Sequence, residues 1–280
     1  MTATSAGSTA EPFFLKNGSG QRFCLFHRPL GACRGAVLYV HPFAEELNRS
    51  RRMAALQARQ LAALGYGVLQ IDLYGCGDSS GDFGDARWQL WKDDLDAGAA
   101  WLHAQLGQPL TLWGLRLGAT LALDYARTAG TPVQRMILWQ PVLSPATYLT
   151  QFLRLRMASA LLTDTASEQS GTSALRASLR RGETLEIGGY QLAPEMAAAL
   201  DALEVFDGAP PACPVHWLET INASGQGVPA AAARVQAEWQ RQGAQLTIHA
   251  VPCPPFWATP EITVCPAWLD ATSAAMQASR

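Results

Sequence analysis

A short stretch in the middle of the chain places two glycines on either side of an arginine. The apolar run Leu110–Trp113 is typical of a strand, and an apolar pattern of helical period begins at Leu117. Gly114 and Gly118 flank Arg116 between these two segments. So short a turn brings strand and helix into close contact, which glycine permits because it has no Cβ. The pattern predicts a strand, a sharp turn at Arg116 and a helix packed against the strand.

Composition limits the classes of protein to which the chain can belong. The 280 residues are 49% hydrophobic and carry a formal net charge of -2, so no strong field attracts nucleic acid or an anionic membrane. There is no apolar run of about 18 residues, and therefore no predicted membrane span. The first eleven residues lack the basic start and apolar middle of a signal peptide. We expect a cytoplasmic protein.

The sequence contains no pattern for a metal or a cofactor. The six cysteines show neither a C-x-x-C pair nor zinc-ligand spacing, so we expect buried thiols in a reducing compartment. Neither G-x-x-x-x-G-K nor a G-x-G-x-x-G after a strand occurs. We predict no cofactor and no metal.

Short apolar runs alternate with longer helical patterns along most of the chain. This rhythm predicts an α/β protein with a mostly parallel central sheet that is flanked by helices. Residues 1–20 are predicted to form a flexible tail, and residues 21–145 and 209–280 the core. Residues 146–208 interrupt the rhythm with Ala/Leu/Arg-rich helical stretches. We interpret them as a helical cap inserted over the carboxyl edge of the sheet, where such folds bind ligands.

Three motifs resemble the α/β-hydrolase superfamily, and they occur in the order of that superfamily. The run Val37–Phe43 resembles the strand and His-Gly loop that supplies one oxyanion-hole amide, with Pro42 in place of the glycine. The run Asp72–Ser79 resembles the D-x-x-G-x-G-x-S turn. The run Gly114–Gly118 resembles the nucleophile elbow G-x-S-x-G, with Arg116 in place of the serine. The resemblance implies the α/β-hydrolase fold.

A serine hydrolase of this type needs a serine, a histidine base, an acid and two backbone donors. The resemblance places the donors at the amides of Phe43 and Leu117 and the acid at Glu219, which could equally be a solvated residue at a strand end. The loop after the last strand should carry the histidine but has none, and we predict that His249 lies within the strand itself. The pattern therefore lacks the serine and the base.

Two other nucleophiles remain as weak catalytic candidates. Ser79 lies in a literal G-x-S-x-G at residues 77–81, and Cys76 lies in the same turn. Each would need a base within hydrogen-bond reach. The segment 77–81 does not lead from a strand directly into a helix, so we expect its match to G-x-S-x-G to be fortuitous.

A narrower resemblance rests on five short motifs. Residues 11–15 (EPFFL), 41–46 (HPFAEE), 113–118 (WGLRLG), 188–190 (GGY) and 255–257 (PFW) are similar to the exosortase A system-associated hydrolase 2 family. That family is named for genes beside bacterial exosortase and exopolysaccharide systems. Arginine at the elbow belongs to its pattern, so the resemblance implies that Arg116 is a family trait.

The role of Arg116 has two interpretations. It could pair internally with Glu45 or Glu46, which follow His41 beside the elbow, while His41 orients that loop. Alternatively, the guanidinium, the Leu117 helix start and nearby amides could bind a small anion. A cation at a helix N-terminus and a strained backbone both cost free energy, so a negative partner is expected in either case.

These observations favour a binding or accessory protein linked to an exosortase or exopolysaccharide system, without serine-triad hydrolysis. One alternative is an active hydrolase of ester, thioester or amide bonds with Cys76 or Ser79 as the nucleophile. Another is a scaffold that docks a partner protein. No nucleic-acid partner is expected.

Overall fold

The computed structural model describes residues 10–18, 20–162, 171–221 and 227–278, and describes only the backbone of 157–162. One eight-stranded sheet has the order β1-β2-β4-β3-β5-β6-β9-β10, and a separate hairpin pairs β7 with β8. The strands are β1 (Ala10–Asn17), β2 (Gly20–His27), β3 (Gly35–Val40), β4 (Tyr66–Ile71), β5 (Leu110–Leu115), β6 (Val133–Trp139), β7 (Leu185–Ile187), β8 (Tyr190–Leu192), β9 (Val215–Ile221) and β10 (Leu246–Pro252).

Strand direction divides the sheet into two parts. The first two strands run antiparallel to each other, and β2 runs antiparallel to β4. All other neighbours in the large sheet are parallel. The central strands β3 and β5 are buried along their whole length, which explains their continuous apolar sequences. The predicted α/β fold with a mostly parallel sheet is confirmed.

Helices cover both faces of the sheet and enclose two hydrophobic clusters. They are α1 (Glu45–Ala63), α2 (Trp88–Leu106), α3 (Leu117–Thr128), α4 (Pro145–Leu162), α5 (Thr172–Arg180), α6 (Pro194–Ala202), α7 (Ala230–Arg241) and α8 (Pro266–Gln277). Side chains of α1 and α8 pack on one face. Side chains of α2, α3 and α7 pack on the other, and those of α4, α5 and α6 join the same cluster. Within the described ranges, no helix has both the length and the apolar character that a bilayer crossing requires.

The amino-terminal segment corrects one prediction. Residues 10–17 of the expected 1–20 tail form strand β1, which pairs with β2 along its whole length. Phe13 stacks on Trp101 of α2 with ring centroids 4.6 Å apart, so burial of this face compensates for ordering the chain. The rest of the predicted tail up to residue 9 lies outside the described residues. The Ser/Gly-rich start concealed the alternation that follows it.

The segment between β6 and β9 contains the three helices α4, α5 and α6, as well as the β7–β8 hairpin. We call its described part, residues 145–162 and 171–202, the insertion. The sequence predicts only helical stretches in this segment, and the hairpin differs from that prediction. Gly188 and Gly189 both have positive φ and form its two-residue turn, which is the turn chemistry of a tight hairpin.

Two further differences lie near the carboxyl end. Cys253 and Cys265 are paired as a disulfide, whereas the spacing predicted only thiols. The cysteines Cys24, Cys33, Cys76 and Cys213 are free, and all but Cys33 are buried. The sequence predicts a final helix within Ala258–Met276, with Pro260 and Pro266 at its start or interrupting it. The last helix begins at Pro266, because proline fits the first turn of a helix but not its interior.

Candidate functional site

The turn between β5 and α3 has the predicted strained geometry. Arg116 has φ 56° and ψ -123°, a backbone conformation rare for a residue with a side chain. A Cβ on Gly118 would lie 2.2 Å from the carbonyl oxygen of His41, and one on Gly114 would lie 2.5 Å from the Cα of Ala119. Both glycines are therefore required by close approach. The predicted sharp turn is confirmed, and it lies at the carboxyl edge of the parallel strands.

Arg116 is enclosed by side chains from three other parts of the chain. Its Nε donates to Oε1 of Glu46 at 3.3 Å, and the two side chains are 18% and 11% exposed. Its guanidinium carbon lies 5.7 Å from the ring centroid of Tyr148 and 5.4 Å from that of Trp257. A carboxylate and two π-faces thus compensate for the charge. This arrangement favours the internal interpretation of Arg116.

The carboxyl group of Glu46 is deeply buried. Burial raises its pKa, although the Arg116 guanidinium opposes that rise, and the neighbouring Glu45 adds to it. Among the described residues, no donor lies within ordinary hydrogen-bond geometry of Oε2 of Glu46, although the nearby Tyr148 hydroxyl interacts with this carboxyl and lowers its pKa. Burial and the Glu46 charge raise the pKa of the Tyr148 phenol, so that phenol stays protonated. Removing Arg116 would leave Glu46 without its main compensating charge.

Glu219 lies in β9 at the position that the resemblance assigns to the acid. Its Oε1 accepts from Nε2 of Gln140 and its Oε2 accepts from Nε1 of Trp217, each at 2.6 Å. The residue is buried, and burial raises the pKa of the carboxyl while both hydrogen bonds and Arg116 lower it. Glu219 is therefore not a solvated residue. Its carboxyl oxygens are directed to an amide and an indole, and not to an imidazole.

His249 and His41, the two histidines considered as possible bases or loop-orienting residues, both have contacts away from a nucleophile. His249 lies within β10, as predicted, and its Nε2 lies 3.1 Å from Nδ1 of His216 on β9. In His41, Nε2 accepts from the amide of Leu73 at 3.1 Å, and Nδ1 donates to the carbonyl of Pro42 at 2.8 Å. Burial lowers the pKa of His41 and keeps the ring neutral. His41 thus joins two loops and is not placed to act as a base.

The loop after β10 contributes an indole where the superfamily needs an imidazole. Trp257 belongs to this loop and lies over Arg116. The partners of Arg116 from this loop and from α4 were missed at the sequence level. One signal for them was the Pro-Phe-Trp run, which occupies the loop from which the histidine is absent.

The two expected oxyanion donors flank the same turn. Leu117 is the first residue of α3, and Phe43 lies just before α1. Neither amide donates a hydrogen bond within the part of the chain that the structure describes. The Phe43 ring packs against Tyr148 and Phe152, with centroids 6.1 Å and 5.2 Å away. The insertion therefore covers the turn with aromatic side chains.

Ser79 and Cys76 lie in the loop after β4, and neither contacts a base among the described residues. The Ser79 hydroxyl donates to the carbonyl of Asp72 at 2.5 Å and accepts from the amide of Phe23 at 2.9 Å. Burial and the charge of Asp72 raise the pKa of the Cys76 thiol, which keeps it protonated. Ser79 fastens this loop to β2, and Cys76 is packed in the core.

Comparison with solved structures shows the same architecture. Est1E from Butyrivibrio proteoclasticus with bound ferulic acid is 16% identical, with a TM-score of 0.66 over 95% of this chain and 98% of that chain. A thermostable carboxyl esterase from Bacillus coagulans is 17% identical, with a TM-score of 0.58 over 87% and 89% of the two chains. The sheet order, the elbow and these structures define the class: the chain is an α/β-hydrolase-fold protein.

A sequence family can also be assigned. The chain belongs to the serine aminopeptidase, S33 family, which matches residues 31–186, more than half of its length. A curated relative is the lysophosphatidylserine lipase ABHD12 of Gallus gallus, 30% identical over 130 residues. That match covers 45% of this chain and 33% of the relative, so the chain spans about a third of the relative's length.

Proposed function

We propose that this chain is a non-hydrolytic member of the α/β-hydrolase superfamily that acts as a binding or accessory protein. The observation that carries the proposal is the enclosure of Arg116 by Glu46, Tyr148 and Trp257. A guanidinium stays protonated at neutral pH and cannot attack an acyl group. The side chains at the turn hold a cation in place of a nucleophile and its base.

The other residues considered for a catalytic triad do not compensate for the absence of a serine at position 116. Glu219 is bonded to Gln140 and Trp217, so no imidazole is oriented by it among the described residues. A serine without a base is a weak nucleophile, and a thiol with a raised pKa is rarely a thiolate. The lipase and esterase names of the similar proteins support a hydrolytic ancestry for the fold. They do not supply the missing groups.

We assign Arg116 an internal role and do not assign it an anion. Glu46 accepts from Nε of the guanidinium and the carbonyl of Gln140 accepts from Nη1, while the two aromatic rings cover the group. The accessory role in an exosortase or exopolysaccharide system is supported by the five motifs that resemble the exosortase A system-associated hydrolase 2 family. Arg116 and Trp257 both lie within those motifs.

An activity-based probe separates binding from hydrolysis. The purified chain is incubated with a fluorophosphonate and with p-nitrophenyl acetate, beside an active serine hydrolase as the positive control. We expect no stoichiometric labelling and no ester turnover above the buffer rate. Stoichiometric labelling would refute the proposal. Loss of that label in Cys76→Ser or in Ser79→Ala, each checked for folding by circular dichroism, would identify the nucleophile of the alternative hydrolase.

A further inference from the structure

A cavity lies on the α1 face of the sheet, away from Arg116. It has a volume of about 140 Å³, and much of its lining is apolar, including Phe23 and Leu25 of β2 and Ala54 and Ala55 of α1. An apolar cavity of about 150 Å³ in a protein core holds a benzene ring. The cavity therefore has the size of one aromatic ring.

Five polar side chains also line this cavity. Arg51 pairs with Asp72, and both charges act on the Tyr39 hydroxyl, so we call these three residues the polar end; the other two are His41 and Gln70. The Tyr39 ring is 4% exposed and packs against Trp113 with centroids 4.3 Å apart, and its hydroxyl is not among the fully buried atoms without a hydrogen-bond partner in the described residues. Burial raises the pKa of Tyr39, so the hydroxyl remains a donor. Tyr39 lines the cavity, so its hydroxyl can donate to a molecule bound there.

The charges at this end balance each other. The Arg51 guanidinium donates to both oxygens of Asp72, at 3.4 Å and 3.3 Å, and Asp72 also accepts from the amide of Asp78 at 3.2 Å. These distances are long for a charged pair, so the guanidinium keeps donor capacity. An anion would face the Asp72 carboxylate, whereas an uncharged hydroxyl can accept from Tyr39 or Arg51 and donate to Asp72.

We propose that the cavity beside Tyr39 binds an uncharged phenol, with the ring between β2 and α1 and the hydroxyl at Tyr39, Arg51 and Asp72. The ring fits the volume, and the hydroxyl matches one donor and one acceptor. A larger cavity of about 590 Å³ shares the lining residues Leu47 and Arg51 with it. This site goes beyond the proposed function, because it does not depend on whether the Arg116 turn cleaves a substrate.

Three small probes test the assignment: phenol, toluene and benzoate, titrated into ¹⁵N-labelled protein. We expect phenol to shift the amide resonances of Phe23, Leu25 and Ile71, and benzoate to bind more weakly than phenol. Tyr39→Phe should weaken phenol binding about fivefold, the usual effect of one hydrogen bond, and leave toluene binding unchanged. Ala55→Leu places a larger side chain in the cavity and should weaken both phenol and toluene.

Tyr66→Phe is the matched control. Tyr66 lies on the same face of the sheet, but its hydroxyl donates to the carbonyl of Met276 and does not line this cavity. This variant should leave all three affinities unchanged. The proposal is overturned if phenol binds equally well to Tyr39→Phe, if benzoate binds more tightly than phenol, or if no probe shifts the cavity amides. Circular dichroism of each variant separates loss of the site from loss of the fold.

Discussion

Arg116 combines two features that each cost free energy in a folded chain. Its φ of 56° is unfavourable for any residue with a Cβ, and its side chain is largely buried. Glu46 offsets the charge, while Tyr148 and Trp257 cover the guanidinium. A cation–π contact contributes about 0.5–2 kcal/mol, depending on how far it is desolvated. The contacts with the carboxylate and the two rings thus explain how arginine is tolerated at this turn.

Replacement of Arg116 separates the side-chain contacts from the backbone strain. Arg116→Ala should lower the free energy of unfolding by about 3 kcal/mol, because it leaves Glu46 buried without a compensating charge. Arg116→Gly loses the same contacts but relieves the positive φ, so it should be about 1–2 kcal/mol less destabilising than alanine. Urea denaturation of the three proteins at pH 7 measures both differences.

The pH dependence of stability is the control for the Arg116→Ala and Arg116→Gly variants. Without Arg116, the folded-state pKa of Glu46 should rise further above its unfolded value. Glu46 then contributes stability below the unfolded pKa, and that stability is lost as pH rises through the folded pKa. The defect of Arg116→Ala should therefore shrink at acidic pH. An equal defect at pH 5 and pH 8, or equal stability of the alanine and glycine variants, would contradict this account.

The contact between His216 and His249 predicts a loss of stability on acidification. Burial lowers the pKa of both rings, that of His216 to about 4 with further lowering by His249 and Arg135. The unfolded chain then binds more protons between about pH 6.5 and pH 4, so stability falls as pH falls through this window. His249→Gln removes one of the two rings and should reduce the loss between pH 7 and pH 5 by about 1 kcal/mol, since solvent screens these half-buried rings.

Thermal unfolding of this variant across pH measures the difference. The matched control is His103→Gln, because His103 is exposed on α2. The control should follow the pH curve of the parent chain. If His103→Gln changes the loss of stability between pH 7 and pH 5 as much as His249→Gln does, the His216–His249 contact is not the cause of that loss.

The sequence predicted the place of Arg116 but not its surroundings. The two glycines mark a close approach, and this local signal was sufficient for the turn. Tyr148 and Trp257 reach Arg116 from α4 and from the loop after β10, which are far apart in the chain. Such contacts depend on how whole elements pack, and no spacing in the sequence encodes them. For the same reason Glu46 could not be separated from Glu45 before the fold was known.

At the scale of elements, three segments pack closely at the Arg116 turn. β5 enters the turn, α3 leaves it, and the loop after β3 lies against the first turn of α3. The carbonyls of Val40 and His41 occupy the space next to Gly118. A methyl group at this position would force the loop away from the helix.

Gly118→Ala should therefore lower the free energy of unfolding by about 3 kcal/mol, because the neighbouring atoms are backbone and cannot rotate away. Gly130→Ala is the matched control, since a Cβ there would meet nothing within 4 Å. Chemical denaturation of the two variants gives the comparison. Similar stabilities for both would show that the loop after β3 moves without cost.

The alternation of apolar and polar residues predicted most elements to within a few residues. The helical spacing of apolar residues over Trp88–Leu106 predicts α2 with the bounds that it has, and β5 begins at Leu110, where its apolar run begins. Apolar residues at helical spacing predict a helix over Met53–Leu64, whereas α1 begins at Glu45, two turns earlier, because its first turns are polar and lack an apolar repeat. The β7–β8 hairpin has strands of three residues, too short for a periodic signal.

At the scale of the molecule, the sheet separates two hydrophobic clusters that different elements enclose. One is enclosed by α1, α8 and the loop after β10. The other continues from the sheet through α2 and α3 into the insertion, where Phe152 and Leu200 belong to the same cluster as Leu138 of β6. The insertion thus contributes side chains to the main core and has no separate core among its described residues.

We expect the insertion to unfold together with the sheet, because both bury the same apolar surface. Hydrogen exchange should give amides of α6 and β6 opening free energies that agree within about 1 kcal/mol. Phe152→Ala should lower both values by about 3 kcal/mol, since it opens a cavity in the shared cluster. Ile262→Ala is the control, because Ile262 is 64% exposed and should change neither value. If Phe152→Ala lowered protection in α6 alone, the insertion would be a separate folding unit, and the aromatic cover over Arg116 could open without unfolding the sheet.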